Sequence, residues 1–233
     1  MREDAVCSAV SRSFFIYGIS FLIFLLQKGN NMKNTNKTKT DSLKYIIKIA
    51  ILGAISVLIM LFEFPLPFAP GFYKLDLSEA VILMGGFALG PVAAVLIELV
   101  KIVLNLVINQ TSTAFVGEIA NFVIGCALVL PATWIYKYNK NIKGALLGMI
   151  TGCVVLAAVG GLMNYFVLVP AYSYFYNLPL ETILSMASAV NPFVGNLWTM
   201  VLFAVVPFNL VKGMICSLIS MILYKRLSKV LHV

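Results

Sequence analysis

Long apolar runs, almost free of ionisable residues, limit what this chain can become. They read IAILGAISVLIMLF, AVILMGGFALG, PVAAVLIELVKIVLNLVI, FVIGCALVLPATWIY and LLGMITGCVVLAAVGGLM. A helix of about 20 apolar residues crosses the hydrocarbon of a bilayer, and inside lipid each backbone N–H and C=O must be satisfied within the segment. Charged residues make up 11% of the chain, against roughly 25% in soluble proteins. A water-soluble fold at this length has too little interior for so much apolar surface. The fold class expected is therefore an all-α, polytopic membrane protein.

Turn signals divide the runs. Six spans are expected at about residues 42–62, 77–89, 91–108, 113–136, 144–169 and 193–224. Pro91 suits a first helical turn, and Pro207 is expected to bend the last span. Between the first two spans, Pro65, Pro67, Pro70 and Gly71 forbid a regular helix, while Phe64, Phe68, Phe72 and Tyr73 add aromatic mass. Such a loop at a membrane surface is a lid or an interfacial anchor. Asp76 is placed to cap the second span, with Glu79 answering it in a capping box. The stretch 170–190, rich in tyrosine, reads as an interfacial connector.

The formal net charge of +8 does not point to nucleic acid here, because the basic residues flank spans. Lys33, Lys37, Lys39, Lys44 and Lys48 precede the first span. Lys137, Lys140 and Lys143 separate the fourth and fifth, and Lys225, Arg226 and Lys229 end the chain. Basic flanks lie on the cytoplasmic side, and six spans put all three groups there. Both termini are thus expected inside.

The N-terminal part reads differently. Residues 1–31 are expected to be an extension with Met32 as the natural start, or else to supply an extra apolar helix from the run Phe14 to Leu26. Residues 32–41 read as a polar cytoplasmic leader, and 42–230 as one six-helix substrate-binding domain.

Ionisable groups at bilayer depth cost about 2.5–3.5 kcal/mol or more and usually serve a purpose. Glu98 and Lys101, one turn apart, can pair with each other. Glu79, Glu118 with Asn121, Asn164, and Lys212 fall on four different spans and gather in the outer half, Lys212 coming up from mid-membrane, where amides and one ammonium suit a planar ligand with polar edges. The bland alternative is that they satisfy one another across helices. Ala50, Gly53 and Ala54 place small side chains on one helix face, which lets another helix approach closely in lipid. Cys7, Cys126, Cys153 and Cys216 are widely spaced and read as small apolar residues. No nucleotide-binding loop, HExxH or GxSxG occurs, so the chain is not expected to be an enzyme, to hydrolyse ATP or to carry a metal or a resident cofactor.

The segments PGFYKLDLSEAVILMGGFALGPVAAVLIELVKIVLNLV, TSTAFVGEIANFVIG, GGLMNYFVLVPAY and VPFNLVKG resemble the riboflavin-binding S components of energy-coupling factor (ECF) transporters. The resemblance runs from about Ser42 to the C-terminus. It implies six helices with both ends inside, and capture of riboflavin, with flavin mononucleotide as a second ligand, on the outer side. It also implies a gate in the loop after the first helix. Its partners would be a transmembrane coupling protein and two ATPase subunits that drive uptake. Asn164 and Lys212 match family ligand-contacting positions, with Asn121 and Glu118 as neighbours and Glu79 as a further candidate. Ala50 and Ala54 match the small-residue motif that meets the coupling protein, although Leu58 does not continue it. The alternative within the same class is an S component for another vitamin or heterocycle: thiamine, a folate or a queuosine precursor. A different class, a membrane enzyme or scaffold built on Glu98 and Lys101, would recruit no ATPases.

Overall fold

The computed structural model describes the backbone of residues 37–109, 111 and 115–231, and the side chains of those between 41 and 224. The expected extension 1–31, its apolar run and Cys7 lie outside the described residues. The chain divides at Lys48 into two units, and the packing below belongs to residues 48–233.

Helix α1 is Lys37–Met60, followed by a two-stranded antiparallel hairpin of β1 (Phe64–Pro65) and β2 (Lys74–Leu75), with Phe64 opposite Leu75. Then come α2 (Ser78–Leu89), α3 (Pro91–Asn109), α4 (Val116–Tyr138) and α5 (Ile142–Met163). A π-helical turn, Asn164–Leu168, joins α5 to α6 (Val169–Phe175) without a break. Next are α7 (Leu180–Ser188) and α8 (Leu197–Met200), a second π turn (Val201–Val205) and α9 (Val206–Leu231).

Among the described residues, five stretches are long and apolar enough to cross a membrane: residues 41–60, 91–109, 116–138, 142–175 and 197–224. The expected sixth, α2, has 12 residues and spans about 18 Å at 1.5 Å per residue, short of the roughly 30 Å of hydrocarbon. It is instead the centre of the bundle. Residues Ser78 through Phe87 are all buried, with α3, α4 and α9 packed round them.

Three expectations need correction. The stretch 170–190 is not a plain connector, since helix continues to Phe175 and resumes at Leu180. The π turns explain the continuity. Each begins six residues before a proline, Pro170 or Pro207. A proline lacks the N–H and crowds the carbonyl one turn back, and the wider turn absorbs that conflict. Secondly, the capping box does not form. The Asp76 carboxylate accepts from the Ser78 backbone N–H at 3.0 Å and from the Ser78 hydroxyl, but Glu79 turns inward to Lys101. Thirdly, Gly53 does not share a free face with Ala50 and Ala54. It is buried where a Cβ would collide with Val100 of α3, whereas the two alanines are exposed.

Candidate functional site: amides and a lysine beneath a hairpin

The 63–75 hairpin folds down onto the bundle because its apolar residues need cover. Ala69 and Leu75 are buried with Phe208 of α9, and Leu66, Phe68, Tyr73, Leu77 and Ile215 pack round them. Lys74 and Glu63 close the exposed rim at 2.5 Å. An exposed pair of this kind contributes little, so the apolar underside does the anchoring.

Two residues at the end of the hairpin reach the positions that the sequence marks for ligand. The Tyr73 hydroxyl donates to Asn164 Oδ1 at 2.6 Å, and its ring lies 5.6 Å from that of Phe208. Burial, and then the neighbouring Tyr172, push the Tyr73 phenol above its ordinary range, so it remains a donor. Asn164 is buried at the start of the first π turn, and its Nδ2 donates to Gly160 O at 2.7 Å. Lys212 is buried on α9 and donates to Asp76 Oδ2 at 2.8 Å. Burial by itself would raise the Asp76 carboxyl. Lys212 and Lys101, with hydrogen bonds from Lys212 and Ser78, outweigh it and hold the group below the usual carboxylate range.

Asn209 belongs with these residues, although it carries no role in the reading from sequence. It is buried, and its Nδ2 donates to Val205 O at 3.0 Å. A Cβ on Gly160 would come within 2.6 Å of that same Nδ2, so Asn209 touches the turn that holds Asn164. The signal was the spacing Asn209-x-x-Lys212, which puts an amide and an ammonium on one face of α9.

The remaining candidates separate. Asn121 and Glu118 are half-buried on α4, which packs against the 164–168 turn; Glu118 Oε2 accepts from the Thr111 hydroxyl at 3.2 Å. Glu79 is committed elsewhere: it accepts from Lys101 at 2.8 Å. Lys101 also lies 2.7 Å from Glu98, the pair that the spacing predicts. All three are fully buried, a network of α2 and α3 that sequence spacing showed only in half. Nor does the described cavity open among the candidates. It measures about 530 Å³ and lies between α6 and α7, bounded by Val169, Pro170, Tyr174 and Leu197. Tyr73 of the hairpin and Asp76 just after it are the hydrogen-bond partners of Asn164 and Lys212.

Comparison with known proteins bears on this arrangement. The family model described as ECF transporter, substrate-specific component, matches residues 44–224. "Riboflavin transporter RibU" of Staphylococcus aureus (strain TCH60) is 34% identical over 200 residues, covering 86% of this chain and 98% of that protein. "Riboflavin transporter FmnP" of Bacillus subtilis (strain 168) is 27% identical over 185 residues, covering 79% and 92%. A solved structure described as "Structure and mechanism of the S component of a bacterial ECF transporter" aligns with TM-score 0.63 and 32% identity, over 81% of this chain and 97% of that one. With its apolar helices crossing a bacterial membrane several times, the chain belongs to the family of substrate-specific components of ECF transporters.

Proposed function

We propose that this chain captures riboflavin from outside the cell and presents it to an ATP-driven uptake machine. One observation carries the reading. In a family member whose relatives are named riboflavin transporters, Tyr73 of the hairpin hydrogen-bonds to Asn164 and Asp76 just after it to Lys212, with the buried amide of Asn209 one turn from Lys212 on α9. An isoalloxazine edge alternates donors and acceptors, and amides answer both. In this reading the hairpin lifts, the ring edge replaces the Tyr73 hydroxyl at Asn164, and Asn209 and Lys212 take the adjoining carbonyl or hydroxyl groups. Asn121 and Glu118 line the α4 side. Glu79 acts through Lys101 rather than by touching the ligand. Flavin mononucleotide is the second ligand to compare.

The same reading gives α2 the role of a sixth, short crossing and puts both chain ends in the cytoplasm. Ala50 and Ala54, exposed on α1, are the proposed approach for the transmembrane coupling protein, since small side chains let helices pack closely in lipid. Two ATPase subunits bound to that protein supply the drive.

Titration of purified protein with riboflavin tests the binding. The expected result is quenching of flavin fluorescence that saturates at stoichiometric ligand and is not reversed by excess thiamine or folate. Absence of quenching at micromolar concentrations, or displacement by thiamine or folate, overturns the proposal.

A further inference from the structure

We propose that Glu98 holds a proton in the interior of the bundle, where it neutralises a charge cluster that would otherwise carry one surplus negative charge. The cluster has three carboxylates, Asp76, Glu79 and Glu98, and two ammonium groups, Lys101 and Lys212, all buried. Lys212 pairs with Asp76 at 2.8 Å. Lys101 donates a well-aligned hydrogen bond to Glu79 at 2.8 Å and reaches the Ser78 hydroxyl at 3.4 Å. Each cation thus has one aligned carboxylate partner. Glu98 Oε1 lies 2.7 Å from Lys101 Nζ, but neither Glu98 oxygen has an aligned hydrogen-bond partner among the described residues, and Glu79 Oε2 has none either.

Two carboxylates beside one ammonium, in a site closed to water, do not both stay ionised. Alignment distinguishes them: Lys101 donates an aligned hydrogen bond to Glu79, whereas its 2.7 Å contact with Glu98 is an ion pair without that alignment. A protonated Glu98 also supplies the one donor that this group of open acceptors lacks. The Cys126 thiol of α4 also faces Glu98, and the Cys216 thiol of α9 faces Asp76 and Glu79 in the same cluster. Cys216 is itself engaged, donating to Asp76 O at 3.8 Å. Gly125 of α4 presses on the pair so closely that a Cβ there would lie 2.5 Å from Glu98 Oε1 and 3.0 Å from Glu79 Oε1.

Infrared spectroscopy of the purified chain in lipid nanodiscs tests this. At neutral pH the wild-type protein is expected to show the carbonyl band of a protonated carboxylic acid. The band should shift in heavy water and on labelling the glutamate side-chain carboxyl with carbon-13. Glu98→Gln should abolish it while leaving the thermal midpoint unchanged. Glu98→Asp should keep an acid band but make it insensitive to the glutamate label, and the exposed Glu181→Gln should keep the wild-type spectrum. The proposal is overturned by a wild-type protein without the band, by a band that survives Glu98→Gln, or by one that still responds to the label in Glu98→Asp. A thermal midpoint that rises with sodium over choline chloride at equal ionic strength, in wild type and not in Glu98→Gln, would make the occupant a metal cation and also overturn it.

Discussion

Asn164 stands between the lid and the bundle, giving one hydrogen bond to Gly160 and accepting another from Tyr73. Asn164→Ala is expected to weaken riboflavin binding by about 1–3 kcal/mol, because buried ligand groups lose a partner; fluorescence titration reads this directly. Tyr73→Phe should act on the rate. Lifting the hairpin then breaks one hydrogen bond fewer, worth about 0.5–1.5 kcal/mol, so stopped-flow mixing should show association up to about tenfold faster. Asp76 sets a pH dependence. Its carboxyl is held below the usual range in the folded chain, so the unfolded chain binds that proton more readily. The stabilisation is complete above the ordinary aspartate value of about 3.9 and is lost as pH falls from there toward the depressed one. Thermal midpoints measured on acidification should fall across that window, and those of Asp76→Asn should change less. The sequence showed Asn164 and Lys212 individually, because an amide or ammonium in an apolar run is conspicuous. It could not show that Tyr73 and Asp76 fill their bonds, since a contact between a hairpin and distant helices leaves no period in the chain.

At the scale of elements, α1 turns two kinds of small residue in different directions. Gly53 meets Val100 with no space between, so Gly53→Ala is expected to lower stability by about 1–3 kcal/mol through overpacking, visible as a lower thermal midpoint. Ala54 is exposed. Ala54→Leu should leave the midpoint and flavin affinity intact but abolish co-purification of the coupling protein. Small-residue spacing alone merged these two faces, because residues 50, 53 and 54 are all neighbours on a helix and only the partner distinguishes them. The long spans were legible from hydropathy and the basic flanks. The hairpin strands, two residues each, were too short to show alternation. Both proline-linked π turns escaped notice because a helix with one wide turn has nearly the same apolar pattern as a regular one.

For the whole molecule, the proposed topology makes a labelling prediction. Single cysteines in a cysteine-free background should react with an impermeant maleimide from outside at Tyr174 and from inside only at Lys140. Reaction of both from the same side would remove the six-crossing arrangement. Central placement of α2 gives the assembly its logic: a helix of 12 residues carries Ser78 and Glu79 into the interior, and Asp76 just before it pairs with Lys212 of α9. The two π turns pack against each other on neighbouring helices, and each holds one residue more than an α-helix needs. A residue of helix corresponds to about 100° of rotation and 1.5 Å of rise. Deleting one residue from 201–205 would therefore screw the remainder of α9 round by more than a quarter turn, carrying Asn209 and Lys212 away from the hairpin together. In the proposed site, both of these groups are indexed by a single spare amino acid.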